Sequence, residues 1–186
     1  MNANALTPAA YSRGAVALHW LMALLIVANF LIAELSEDMA KEDRMAWMGN
    51  HKAIGITILA LTVLRIVWRF MRPAPPLVET LKAWEAALAK VTHGLLYFLM
   101  LAIPLSGWGM VSGKGNPVSL FGLINIPALP VGPDKAVNGV FHEMHEVFAQ
   151  AMFVLFIIHV AAAIKHMVVD KDGTMGRMAP WMKRRA

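Results

Sequence analysis

Histidine is the residue type whose spacing in this chain suggests chemistry. The segment 145–166 is almost entirely apolar, yet it contains His145, His159 fourteen residues later and His166 seven residues after that. On a helix, fourteen residues correspond to a rise of about 21 Å and return to within about 40° of the same direction. Imidazoles on different helices of a bundle can hold a haem iron from opposite faces. The spacing therefore suggests two redox layers along one helix.

Four apolar segments carry these histidines. The chain is 58% hydrophobic and 16% charged, whereas a soluble domain carries about 25% charged residues. A segment of about 20 residues crosses a hydrocarbon core, and four segments approach that length: 14–33, 51–70, 91–111 and 145–169. We predict an all-α fold, a transmembrane four-helix bundle that forms a single domain over residues 1–186. The N-terminus lacks the features of a cleaved signal peptide, so the first span should be retained.

The connections predict the orientation. Twelve of the 17 lysines and arginines flank the side that carries the termini and the loop between spans two and three. The positive-inside rule then places both termini in the cytoplasm. In the 71–90 loop, a proline-rich start followed by amphipathic spacing predicts a segment at the cytoplasmic interface. The Gly- and Pro-rich loop 112–141 is predicted to be an ordered cap over the outer end. The net charge of +5 reflects this topology, not nucleic-acid binding.

On this topology the histidines sort into two layers. His51 and His145 form an outer pair, His142 lies outside the membrane, and the inner half contains His19, His93 and His159. Two haems would each need one pair of ligands. The chain has no cysteine, so the haem would be the non-covalent b type. Residue spacing alone does not decide whether His19 or His93 pairs with His159. Interhelical hydrogen bonding and a proton relay are the alternative uses of such histidines.

Several stretches resemble the bacterial cytochrome b561 family. They are "ALHWLM" in span one, "HKAIG" in span two, "THGLLYFLMLAIPLSG" in span three and "HEVFAQAMFVLFIIHVAAAIKH" in span four. "GKGNPVSLFGL" in the outer loop and "RMAP" near the end extend the similarity over nearly the whole chain.

The resemblance implies a location in the bacterial inner membrane, residue roles and a reaction. It implies outer haem b ligands His51 and His145, inner haem b ligands His19 and His159, and a quinone site at His93 and His166. The implied reaction oxidises superoxide to oxygen at the outer face and reduces ubiquinone through the two haems. The cofactors would carry the chemistry, so no nucleophile or acid–base carboxylate is required.

Charged residues add further expectations. Lys52 and Lys114 lie on the outer side, where they would pair with haem propionates or steer superoxide. Arg65, Arg69 and Arg72 are interpreted as topology determinants and lipid contacts, with an inner propionate or the quinone as the alternative role for one of them.

Three other functions are compatible with a membrane protein of this composition. The nearest is an electron conduit between the quinone pool and a redox protein partner, without direct superoxide chemistry. The second is a haem-free proton-coupled transporter. A structural assembly subunit gives no reason for histidines at these depths.

Overall fold

Four long helices make up most of the molecule. The structure is a computed structural model that describes residues 10–78 and 80–182. The helices are α1 Arg13–Leu35, α2 Lys41–Met71, α3 Ala83–Ser112 and α4 Lys135–Lys165. All four are long and apolar enough to cross a membrane, and no fifth candidate occurs within the described ranges. The chain is thus mostly helical, as expected of a transmembrane helical bundle. The basic residues at 183–185, which count toward the predicted orientation, lie outside the described residues.

Short elements complete the described chain. They are strands β1 Val118–Leu120 and β2 Ile124–Ile126, a π-helical turn His166–Asp170, helix α5 Thr174–Met178 and a 3₁₀ turn Pro180–Met182.

Three of the helices, α2, α3 and α4, begin two or more turns before the apolar segments that predicted them. Helix α2 starts at Lys41 and α4 at Lys135, ten residues before the predicted spans. The predicted interfacial helix is not separate, because its residues from Ala83 onward are the first turns of α3. At α4 the extension has a clear cause: the Asp134 carboxylate accepts the Ala136 N–H at 2.7 Å and caps the helix. His51 and His145 therefore lie well inside their helices.

Helices α3 and α4 form the most extensive helix pair. Their approach depends on glycine, since a Cβ at Gly109 would lie 2.7 Å from the Phe141 ring and one at Gly113 would lie 3.1 Å from Asn138 backbone atoms. Small residues allow such close contact between membrane helices. The Asn138 side-chain amide also donates to the Met110 carbonyl at 2.7 Å. This pair is the rigid frame that carries most of the histidines.

A β-hairpin forms part of the predicted outer cap. Strands β1 and β2 pair antiparallel, with Val118 opposite Ile126, and β1 packs against α2. The Leu129 N–H donates to Ser112 Oγ at 2.9 Å, which joins the loop to the end of α3. The loop is therefore ordered, as predicted.

The outward faces of the helices are apolar. Leu24 is 68% exposed and Phe70 is 83% exposed, while the buried core is small and includes Met22, Leu99 and Met152. Contiguous apolar surface of this extent is not stable in water and suits contact with lipid acyl chains.

Candidate functional site

The outer pair brings together two helices. The rings of His51 on α2 and His145 on α4 face each other with centroids 6.1 Å apart and an interplanar angle of 75°. His51 Nδ1–H donates to the Asn29 carbonyl at 3.1 Å, and His145 Nδ1–H donates to the Ile103 carbonyl at 2.9 Å. A ligand histidine in a metalloprotein uses one ring nitrogen for the metal and donates the other N–H to such a partner. Both rings are therefore held through Nδ1, and no hydrogen bond among the described residues engages either Nε2.

Helix α3 determines the orientation of the His145 ring. Ser106 Oγ lies 3.2 Å from His145 Nδ1 and donates to the Ile103 carbonyl at 2.8 Å. Gly107 leaves room for the ring, since a Cβ there would lie 3.1 Å from Cε1 and 3.2 Å from Nδ1 of His145. The segment 103–107 of α3 thus holds the His145 ring of α4 in place.

The inner cluster consists of His19 on α1, His93 on α3 and His159 on α4. The His19 and His159 ring centroids are 6.2 Å apart, and those of His93 and His159 are 5.5 Å apart. His93 Nδ1–H donates to the Ala89 carbonyl of its own helix at 2.6 Å. The three inner histidines predicted from the sequence are therefore close together.

The geometry of both layers fits a bis-histidine haem iron. An imidazole nitrogen binds a metal ion at about 2.0 Å, so two rings on opposite sides of one ion have centroids about 6 Å apart. The outer pair and the His19–His159 pair both match this separation. A Cβ built on Gly55 or Gly94 would meet no atom within 4 Å, which leaves space beside both layers for a flat macrocycle.

Arg65 lies at the depth of the inner cluster. Its Nε donates to the Tyr97 hydroxyl at 3.0 Å, and its Nη1 donates to the Ala15 carbonyl, one helical turn before His19, at 3.3 Å. From the sequence, Arg65 has the same predicted roles as Arg69 and Arg72, namely topology determinant and lipid contact. A signal was present, because Arg65 follows His51 by fourteen residues, the spacing that joins His145 to His159.

His166 belongs to a hydrogen-bonded cluster at the end of α4. Its Nδ1 lies 2.7 Å from Asp172 Oδ2 and 3.0 Å from Asp170 Oδ2. The Asp172 side chain is only 5% exposed, and it also accepts the Thr174 N–H at 2.9 Å. Burial acts to raise the pKa of Asp172, but the hydrogen bonds from Thr174 and His166 outweigh it, so this pKa lies below its usual value. Asp172 is therefore a stable anionic partner for His166.

The cluster continues to α3 through Lys165. The Lys165 ammonium lies 2.6 Å from Asp170 and 3.2 Å from Glu85 on α3. A cleft of about 270 Å³ opens beside these side chains. Asp170 and Asp172 are not among the site residues predicted from the sequence, because they follow the apolar span and show no periodicity.

The remaining candidates lie on the surface. His142 is exposed and lies 3.3 Å from Glu146. Lys52 and Lys114 are both exposed; Lys52 adjoins His51 and Lys114 follows the end of α3.

The sequence is similar to those of known cytochromes over nearly its whole length. Residues 10–181 match the family described as "Prokaryotic cytochrome b561". The chain is 30% identical over 178 residues to "Cytochrome b561 homolog 2" of Escherichia coli K12, with 92% of each chain covered. It is 32% identical over 171 residues to "Probable superoxide oxidase CybB" of Yersinia pestis, with coverage of 91% and 96%. It is 29% identical to "Cytochrome b562" of Cereibacter sphaeroides, with coverage of 90% and 94%.

Proposed function

The chain belongs to the prokaryotic cytochrome b561 family, and from that premise we propose that it oxidises superoxide and reduces ubiquinone. The resemblance found in the sequence is thereby confirmed, and membership implies haem b and electron transfer in a membrane. In the proposed reaction two superoxide ions each lose one electron and become O₂. Ubiquinone takes up the two electrons and two protons and becomes ubiquinol. The name of the Yersinia pestis relative supports superoxide as the donor.

One observation carries the proposal: two facing histidine pairs lie fourteen residues apart along α4, with ring centroids 6.1 and 6.2 Å apart. We assign His51 and His145 to the outer haem and His19 and His159 to the inner haem. The 5.5 Å separation from His159 supports His93 less well as the second inner ligand. When bound, the haems supply one-electron oxidation and reduction, which links the two faces of the membrane.

The chain's own side chains would handle the quinone and its protons. We place the quinone at the inner end, with His93 and His166 as its hydrogen-bonding partners. Asp172 accepts the Nδ1–H of His166 at 2.7 Å, so the imidazolium form of His166 would donate its Nε2–H to a quinone carbonyl. Histidine exchanges protons in the physiological pH range, and the neighbouring acids and Lys165 would connect it to the cytoplasm. In this orientation both termini are cytoplasmic and the membrane is the bacterial inner membrane.

Lys52 and Lys114 would act on the approach of superoxide. Both are exposed at the end of the bundle that carries the outer pair. Exposed positive charge around a site raises the association rate of a small anion, and added salt weakens this effect.

Rapid mixing of the oxidised protein with superoxide tests the proposal. We expect haem reduction with a rate constant on the order of 10⁸ M⁻¹ s⁻¹, within the range of electrostatically steered association. Superoxide dismutase should abolish the reduction. The double variant Lys52→Gln, Lys114→Gln should be slower and less dependent on salt, while its absorption spectrum stays unchanged.

Other outcomes would select the alternatives. Slow reduction by superoxide together with fast reduction by ubiquinol would identify an electron conduit to a redox protein partner. A purified protein without haem would contradict electron transfer and favour proton-coupled transport.

A further inference from the structure

Arg65 is a charged residue within a membrane-spanning helix. It lies on α2, fourteen residues after His51, and the same interval on α4 separates the outer layer from the inner one. Its two hydrogen bonds, to the Tyr97 hydroxyl and the Ala15 carbonyl, join α3 and α1 beside the inner cluster. The helix that supplies a histidine to the outer layer thus supplies a guanidinium to the inner layer.

The charge of Arg65 has no anionic partner within residues 10–78 and 80–182. None of the ion pairs there involves Arg65, and both of its hydrogen-bond acceptors are neutral. An ionised side chain inside a membrane is costly and normally marks a function. A fixed cation could pair with a haem carboxylate, and it would favour the reduced state of the iron, which carries one positive charge fewer than the oxidised state.

The two layers differ in the groups around their ligands. In the outer pair both Nδ1–H groups donate to backbone carbonyls, at 3.1 and 2.9 Å. This interaction makes imidazole a stronger electron donor and favours oxidised iron. In the described chain no hydrogen bond is found to the ring nitrogens of His19 or His159. A nearby positive charge has the opposite effect, since it favours the reduced iron, which carries one positive charge fewer.

We propose that Arg65 raises the reduction potential of the inner haem above that of the outer haem, and so directs electrons from the outer face to the inner face. The inference rests on the haem sites of the proposed function, but not on superoxide or ubiquinone as substrates. Lys52, beside His51, does not cancel the difference because it is exposed and water screens its charge. Arg65 is half-buried, so its charge is screened less.

A spectroelectrochemical titration of the purified haem-loaded protein tests this assignment. The wild type should show two one-electron steps, and His159→Ala identifies the inner step by losing it. In Arg65→Gln the inner haem should become at least tenfold harder to reduce, which corresponds to about 59 mV for a one-electron couple. The outer step should stay in place. Arg65→Lys, which keeps the charge, should retain most of the wild-type potential.

Arg69→Gln is the matched control. Arg69 lies one turn further along α2, is exposed, and also approaches the Tyr97 ring, at 5.8 Å. It should leave both steps nearly unchanged. Equal shifts of both haems in Arg65→Gln, or no shift at all, would overturn the proposal, and so would an inner step below the outer one in the wild type.

A second variant covers the case in which Arg65→Gln does not retain the inner haem. Tyr97→Phe removes one of the two hydrogen bonds that hold Arg65 without changing any charge. Its potential should shift only at the inner step, by less than in Arg65→Gln, and unchanged potentials would then overturn the proposal. Because the titration needs neither superoxide nor ubiquinone, failure of the superoxide reaction leaves its result intact. A protein that binds no haem overturns both proposals.

Discussion

At the scale of single residues, the surroundings of the imidazole nitrogens distinguish the histidines. His51 and His145 have Nδ1 engaged by carbonyls of neighbouring helices, and their rings face each other. His142 is exposed, and its Nε2 lies 3.3 Å from a carboxylate oxygen of Glu146. His166 is held by carboxylates. Interhelical carbonyl partners and carboxylate partners thus correspond to two different proposed roles for one residue type, and in the described part of the chain the exposed His142 has neither kind of partner across a helix interface.

The inner cluster allows a direct test of its ligands. We expect His19→Ala to reduce the haem content from two per chain to one, because the His19–His159 separation suits two ligands of one iron. His93→Ala should keep both haems but raise the KM for ubiquinone. The measurement is the haem content of purified protein, with His142→Ala as the control that keeps both haems. The reverse pattern, with one haem lost in His93→Ala and none in His19→Ala, would make His93 the ligand.

Sequence could predict the inner histidines but not their pairing. Hydropathy and the helical rise place His19, His93 and His159 at one depth, because depth depends only on position along each helix. The pairing depends on the rotation and spacing of three helices, which side-chain packing determines. The role of Arg65 is hard to predict for a related reason: an arginine near the end of an apolar span can face either lipid headgroups or a neighbouring helix, and hydropathy is the same in both cases.

At the scale of elements, α3 positions the outer site although it supplies no outer ligand. The backbone carbonyl of Ile103 accepts the His145 N–H, and Gly107 admits the ring. A haem site at the outer layer therefore depends on the contact between α3 and α4 as well as on the ligands.

We expect Gly107→Ala to weaken the outer haem site specifically. The new Cβ would lie 3.1 Å from His145 Cε1, so the ring or the helix must move by a few tenths of an ångström. Such overpacking costs roughly 1–3 kcal/mol, which should appear as partial loss of the outer haem or a shift in its spectrum. The control is Gly139→Ala, where a Cβ meets nothing within 4 Å. Equal effects of the two substitutions would show that the His145 contact is not what matters.

The ends of the helices were less predictable than their apolar centres. Hydropathy located the membrane-spanning parts, but the first turns of α2 contain "KEDR", whose charges hide a helix from an apolar search. Asp134 before α4 was a readable capping signal. The π-helical turn at His166 and the acids around it carry no periodic signal, and only tertiary structure brings this segment to Glu85 on α3.

At the scale of the whole molecule, function requires a defined direction across the membrane. The proposed superoxide site and quinone site lie at opposite ends of the bundle, so an inverted protein would expose the outer pair to the cytoplasm. Twelve of the 17 lysines and arginines lie on the side of the termini and the α2–α3 loop. This charge asymmetry predicts the orientation of the protein in the membrane.

The absence of native cysteine makes the orientation directly measurable. We expect a cysteine introduced by Lys114→Cys to react with a membrane-impermeant maleimide on intact spheroplasts, because the outer hairpin loop should face the periplasm. Lys171→Cys should react only after the membrane is permeabilised. Both positions are exposed, so accessibility within the protein is matched and the membrane alone should separate them. The wild type, which has no thiol, measures the background. Labelling of Lys171→Cys but not Lys114→Cys on intact spheroplasts would contradict the predicted topology and indicate the opposite one. The outer pair would then lie on the cytoplasmic side and the proposed quinone site on the periplasmic side. A quinone at that site could not take its protons from the cytoplasm.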